Sequence, residues 1–234
     1  MDGRAGMNVL VVAAHPDDEV FGLGATIKKL SSAGHDVFAA YLCRSVKARK
    51  TSPSSNEIEG NIQSVQKILG IKDVDLFDFP NIQFNIVPSL EIVQAIESSI
   101  VRFKPEVIFS HHYNDLNEDH RIAYAATITA AKLPERRGLD GIKANMIRKI
   151  LCYEIPSSTN WSPKLERAER APDAFVDISD QFDAKVQAMK VYDRELRPFP
   201  HPLSLEAMKL TAKMHGGKIH VQLAEAFHLV RELF

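Results

Sequence analysis

Val9-Leu10-Val11-Val12 is a continuous apolar and largely β-branched run close to the start of the chain, and it empties into Ala13-Ala14-His15-Pro16-Asp17-Asp18-Glu19. A strand that is apolar at every position has to be covered on both faces, which is the situation of a central parallel strand in an α/β sheet. In such sheets ligands bind beyond the carboxyl ends of the strands. The run therefore presents an imidazole and three carboxylates at a ligand-binding position, on a turn that Pro16 stiffens. A divalent cation would neutralise this concentration of charge.

With 234 residues, 45% of them hydrophobic and 25% charged, the chain can bury a large core as one α/β domain. Met7 begins the strand pattern, so residues 1–6 are expected to be a flexible extension and residues 7–234 the domain. The 29 basic and 30 acidic residues nearly cancel, which recommends neither nucleic acid nor an anionic membrane surface and leaves a small molecule as the partner. Cys43 and Cys152 lie far apart within or beside apolar runs, and they read as reduced structural thiols of a cytoplasmic protein, with no metal-binding pair. Neither a secretory signal nor an apolar stretch of roughly 18 residues is present. Association into a homo-oligomer stays open.

Apolar periodicity orders the rest of the chain. Glu19 to Ser32 reads as a helix ending before Gly34, Val37 to Cys43 as a strand, and Ile58, Ile62, Val65, Ile68 and Leu69 as the inner face of a second helix closed by Gly70. Val74 to Phe79 is the third strand, Pro88 to Phe103 a helix, and Glu106 to Ser110 the fourth strand. That strand ends in a second polar cluster, His111-His112-Tyr113-Asn114-Asp115-Leu116-Asn117-Glu118-Asp119-His120, followed by an Ala-rich helix from Arg121 to Lys132 that Pro134 stops. Ile150 to Ile155 is the fifth strand and Ala174 to Ile178 a short sixth. Ser179 is expected to cap a helix running to about Leu196, and Leu203 to Met214 is a further helix. The segment Ala226 to Leu233 fits a strand or a terminal helix, with the strand favoured. Strands alternating with helices imply a Rossmann-like three-layer α/β fold with a mainly parallel sheet.

Two polar clusters at the ends of separate parallel strands can meet in such a winding although about one hundred residues separate them. His15, Asp18 and His120 then offer two imidazoles and one carboxylate, a set suited to a catalytic zinc that keeps one position open, although other first-row divalent metals accept the same ligands. Taken singly, a histidine or an acidic pair in a loop is usually a solvated or capping residue. The joint pattern has no structural need for so much charge at buried strand ends.

Ala14-His15-Pro16-Asp17-Asp18-Glu19 followed by Asp119-His120 resembles the PIG-L/LmbE family of zinc-dependent N-deacetylases. Leu69-Gly70 and Ala224-Glu225-Ala226-Phe227 extend the likeness less specifically. The resemblance implies that His15, Asp18 and His120 hold the zinc, that Asp17 is the general base, and that the substrate is an N-acetylated amino sugar or sugar conjugate. Elementary chemistry is consistent with those roles, because zinc lowers the pKa of its water from about 15.7 toward 7 and a neighbouring carboxylate can take the proton. Glu19 is expected to cap the following helix or to support a ligand, and Asp119 to orient His120 or its neighbours.

The chain departs from the family pattern at two places. Asn117 stands three residues before the last ligand, where relatives commonly have a histidine, so it is either a neutral oxyanion donor or a turn residue. Ile58 and Asn61 occupy positions where many relatives have Arg and Glu. Arg44, which begins a basic run with Lys47, Arg49 and Lys50, and His112 are the candidates for substrate contact. A non-catalytic zinc-site protein that binds an amino sugar is the main rival, and Asp17 argues against it. A magnesium-binding receiver domain is disfavoured by His15 and the second histidine cluster.

Overall fold

In a computed structural model the structure describes residues 6–44, 54–132, 147–163 and 171–233. Most of the N-terminal extension, the basic positions Lys47, Arg49 and Lys50, and the expected stop at Pro134 lie outside the described residues.

The strands β1 (Asn8–Ala13), β2 (Asp36–Tyr41), β3 (Ile71–Leu76), β4 (Val107–His111), β5 (Lys149–Tyr153), β6 (Ala174–Asp177) and β7 (Ala224–Glu232) form one sheet in the order β3-β2-β1-β4-β5-β7-β6. The first five run parallel, while β7 lies antiparallel to both β5 and β6. The helices are α1 (Asp18–Ser32), α2 (Ser55–Leu69), α3 (Ser89–Phe103), α4 (Glu118–Ala131), α5 (Phe182–Val191) and α6 (Leu205–Ile219). Strand side chains alternate between faces, so β1 divides its apolar run between two cores. Val9, Val11 and Ala13 pack with α1, α2 and α5, whereas Leu10, Val12 and Ala14 pack with α3 and α4. This is the expected three-layer arrangement. The order reverses beside β1, where β2 lies on one side and β4 on the other, and the polar clusters end these central strands.

Several boundaries differ from the sequence reading. β3 begins at Ile71, not Val74, because Gly70 ends α2 in the left-handed region (φ 77°) and turns the chain straight into the sheet. The fourth helix begins at Glu118, which draws Asp119 and His120 into its first turn. Ser179 is not a cap: α5 starts at Phe182, and Ser179 Oγ instead donates to Asp177 Oδ1 (2.6 Å) and accepts from Leu223 N (3.3 Å). α5 also stops at Val191, and the chain continues to Leu196 as turns. The last segment is a strand, starting two residues earlier than expected.

One helix is interrupted in a way that hydrophobic spacing did not reveal. Leu23 within α1 has φ −147° and ψ 25°, which breaks the run of helical hydrogen bonds. The exposed backbone groups are satisfied from far along the chain. Glu225 accepts from Ala25 N (3.3 Å) and Thr26 N (2.7 Å), while Lys185 Nζ donates to Phe21 O (2.9 Å) and pairs with Glu225. The carboxylate thus serves as an N-cap and the ammonium as a C-cap inside the protein. Gly22, at the same bend, lies against Tyr153: a Cβ there would sit 2.3 Å from Cδ2 of that ring. No helix among the described residues is long and apolar enough to cross a membrane.

Candidate active site

β1 delivers the turn His15 to Asp17, and hydrogen bonds fix its shape. Ala14 N donates to His111 Nε2 (2.9 Å), His15 N donates to Asp18 Oδ2 (2.8 Å), and Asp17 N donates to Glu19 Oε2 (3.0 Å). Asp17 has φ 131°, a conformation that costs a non-glycine residue of order 1–3 kcal/mol. Its carbonyl still starts α1 by accepting from Val20 N and Phe21 N. Asp17, half-buried, and Asp18, buried, both line the cavity.

The second cluster arrives on the first turn of α4. His120 Nε2 lies 3.4 Å from Asp18 Oδ1, and His15 Nδ1 lies 3.4 Å from Asp18 Oδ2. One ligand atom from each of His15, Asp18 and His120 falls within 4.8 Å of the others. The far nitrogen of each imidazole faces a carboxylate. His15 Nε2 is 3.0 Å from Asp119 Oδ2, and His120 Nδ1 is 3.3 Å from Asp115 Oδ1. Those carboxylates are themselves held, Asp119 by Ile82 N and Phe84 N, and Asp115 by Asn117 N, Ser158 Oγ and Thr159 Oγ1. Carboxylates behind both imidazoles orient their free nitrogens inward, as outer partners of metal-binding histidines do.

The electrostatics point the same way. Burial opposes a charge on His120, but the carboxylates of Asp18 and Asp115 push its pKa up to about 10. Burial likewise opposes ionisation of Asp18, and the imidazoles of His120 and His111 outweigh it and hold this carboxyl well below its usual range. The site is built to contain positive charge. Two imidazoles and a carboxylate that converge with their outer partners in place fit a borderline divalent cation such as zinc.

Around these ligands the neighbours divide into acids and supports. Burial, followed by the charges of Asp18, Glu195 and Glu19, raises the Asp17 carboxyl well above its ordinary value. Burial raises Glu19 to about 7. One Glu19 oxygen holds the Asp17 N–H and the other lies 3.4 Å from the Tyr192 hydroxyl. His111 stacks on His120, with ring centroids 4.0 Å apart, and burial keeps it neutral with a pKa of about 4. Its Nε2 is also 3.2 Å from the Tyr153 hydroxyl.

Asn117 is the N-cap of α4. Its Oδ1 accepts from Asp119 N (2.9 Å), which leaves the Nδ2 amide 3.2 Å from His120 Nε2. The oxygen and nitrogen are told apart by the helix, since only the oxygen can accept that backbone N–H. Of the two readings of Asn117, the turn role is therefore occupied by its oxygen and the donor role is left to its nitrogen.

A cavity of about 390 Å³ opens over this floor. Ile58 and Asn61 of α2 line it, together with Asn81, Ile82 and, from the turns after α5, Tyr192, Arg194 and Glu195. Both positions at which the sequence departs from the family pattern in α2 are thus on the wall. Arg194 pairs with Glu57 at 3.1 Å across the two elements. Sequence reasoning missed the contribution of residues 192–195, because a helix was expected there and no spacing pattern marks them as a wall. Arg44 is placed elsewhere, bound to Asp78 and Glu59 and outside the cavity lining. His112 is also outside it, beside His228.

A family model described as PIG-L, GlcNAc-PI de-N-acetylase, matches residues 10–131, a stretch that holds both polar clusters. The chain is 25% identical over 245 residues to the diacetylchitobiose deacetylase of Thermococcus kodakarensis, with 97% of this chain and 84% of that protein covered. Its fold is similar to that of the conserved protein TT1542 from Thermus thermophilus, at a TM-score of 0.78 and 23% identity over 97% of this chain and 96% of that one. It is also similar to that of GalB, the 4-carboxy-2-hydroxymuconate hydratase of Pseudomonas putida KT2440, at a TM-score of 0.76 and 21% identity over 97% of this chain and 98% of that one. A fold shared with a hydratase does not by itself select a reaction. With the family model matching more than half of the sequence and His15 to Asp18 gathered with His120 at one cavity, the chain belongs to the PIG-L family.

Proposed function

We propose that this protein is a zinc-dependent hydrolase that removes the acetyl group from the nitrogen of an amino sugar or an N-acetylglucosamine-type conjugate, releasing acetate and a free amine. The observation that carries this reading is the convergence of His15, Asp18 and His120, with Asp17 beside them, at the floor of an open cavity. The description of the matching family model and the name of the Thermococcus relative support the choice of an N-acetylated sugar.

His15, Asp18 and His120 would hold the metal, which when bound acidifies water and polarises the amide carbonyl. Asp17 takes a proton from the attacking water. A carboxyl raised by burial and acidic neighbours is a stronger base than an exposed aspartate, and it returns the proton to the amine nitrogen as the carbon–nitrogen bond breaks. The Asn117 amide donates to the carbonyl oxygen as negative charge develops there. Asp119 and Asp115 keep both imidazoles turned inward, and Glu19 holds the strained turn. The cavity is large enough for a sugar unit, with Ile58 and Ile82 against the ring and Asn61 beside its hydroxyl groups.

The test is acetate release from N-acetylated free, nucleotide-linked and lipid-linked sugars by metal-replete wild type and Asp17→Asn, with zinc content measured in both. Wild type should release acetate from at least one class, and the variant should be slower by about 10²–10⁴ at equal zinc occupancy. Equal rates would remove Asp17 as base. Sugar binding without turnover by the wild type would move the assignment to a non-catalytic zinc site.

A further inference from the structure

Across the sheet from the deacetylase ligands lies a second group of metal-binding side chains. In the register of β4 and β5, His111 pairs with Tyr153 and Ser110 with Cys152. Alternation places His111 and Tyr153 on the face that carries α1, and Ser110 and Cys152 on the face that carries α4. One residue beyond each strand, His112 and Glu154 continue the α4 face. β7 adds His228, the antiparallel partner of Cys152. Three adjacent strands thus bring two imidazoles and a carboxylate to one point.

His228 Nε2 lies 2.8 Å from Glu154 Oε1, the His112 and His228 rings are 4.3 Å apart, and one ligand atom of each residue lies within 4.8 Å of the other two. Both histidines are 6% exposed, whereas the Glu154 side chain is 31% exposed and gives the group a path to solvent. Two buried nitrogens, His112 Nε2 and His228 Nδ1, have no hydrogen-bond partner among the described residues. An unmatched buried nitrogen is destabilising, so a plain hydrogen-bonded pair does not account for the arrangement. The outer contact a ligand needs is present. His112 Nδ1 lies 3.2 Å from Asn114 N and 3.3 Å from Asn114 O; in the tautomer that donates to the carbonyl, the Nε2 lone pair is free for a cation.

We propose that His112, Glu154 and His228 form a second binding site for a first-row divalent metal ion, zinc foremost, which ties β4 and β5 to the antiparallel β7. Nitrogen and carboxylate ligands of this kind suit zinc, cobalt or nickel and not magnesium or calcium. Zinc at roughly 2.0–2.2 Å from each ligand would draw together the three ligand atoms, which lie within 4.8 Å of one another. The proposal does not depend on the reaction assigned to the first site.

Tag-free protein stripped with a chelator and titrated with zinc chloride under equilibrium dialysis tests it, with metal counted by mass spectrometry. Wild type should take up two equivalents and Asp18→Asn one. Asp18→Asn combined with Glu154→Gln or with His228→Ala should retain none at a zinc concentration that saturates Asp18→Asn. Cobalt bound to Asp18→Asn should also show the absorption of a four- or five-coordinate nitrogen–oxygen site, lost in both combined variants. If Asp18→Asn takes up no ion, or if its one ion persists undiminished in the Glu154→Gln combination, the second site does not exist. Glu154→Gln decides the matter should His228→Ala not fold. Acetate release is read separately, so a silent enzyme that still binds the second ion overturns only the deacetylase assignment.

Discussion

Asn117 presents its amide nitrogen 3.2 Å from His120 Nε2 while its oxygen caps the helix that carries His120. The capping role and the proposed donor role thus fall to different atoms of one side chain, and substitution can separate them. Asn117→Asp keeps an N-cap acceptor but removes the donor, so its melting temperature should stay close to wild type while turnover falls by about 10²–10³, the usual loss of one oxyanion donor. Asn117→Ala should lose both, with about 1 kcal/mol of stability in addition. Thermal melts and acetate release measured side by side check this, and full activity in Asn117→Asp would assign the donor role to another group.

The ion pair of Glu225 and Lys185 is buried, with each residue at most 5% exposed, and it caps the break in α1 at Leu23. Glu225→Gln leaves the ammonium of Lys185 without its counter-charge and should cost about 3–5 kcal/mol. For a chain of this size that corresponds to a fall of roughly 6–20 °C in melting temperature. Lys185→Met combined with Glu225→Gln should recover part of the loss, because no buried charge then stands alone. A melting temperature unchanged in Glu225→Gln would show that the helix break does not need this cap.

Cys43 and Cys152 are buried thiols, and burial pushes the Cys152 thiol up to about 12. At pH 8 only about one Cys152 in 10⁴ would be thiolate, the reactive form. Native protein should leave both thiols unmodified by a chromogenic disulfide reagent, and both should react at once in guanidinium chloride. Rapid native-state labelling of Cys152, mapped by mass spectrometry, would contradict the burial of β5.

Local chemistry made much of this protein legible from its residues. The β-branched run before His15 announced a covered parallel strand, and the helical spacing of Ile58 to Leu69 announced α2, because burial on two faces or one stripe leaves a periodic trace. The proposed ligand set was legible for a related reason. His15 and Asp18 share one turn, and His120 follows a second strand whose carboxyl end had to lie near the first. The start of α4 was less clear, since Ala-rich periodicity begins after Arg121 whereas the cap is Asn117, a residue equally at home in a turn.

What only the tertiary structure decided concerns groups that meet across long separations without any periodic signal. The break at Leu23 depends on Glu225, about two hundred residues away, because a carboxylate can cap a helix from any point that folding brings near. The wall of Tyr192, Arg194 and Glu195 exists because α5 stops at Val191. His112, Glu154 and His228 become neighbours only through strand order and register, and His111 and His112, adjacent in sequence, are sent to opposite faces of the sheet. The sequence by itself determined the alternation of strands and helices and the residue types at the ends of the central strands. The packing of the sheet decided which of those residues face one another, because side-chain direction and contact distance are properties of the whole fold.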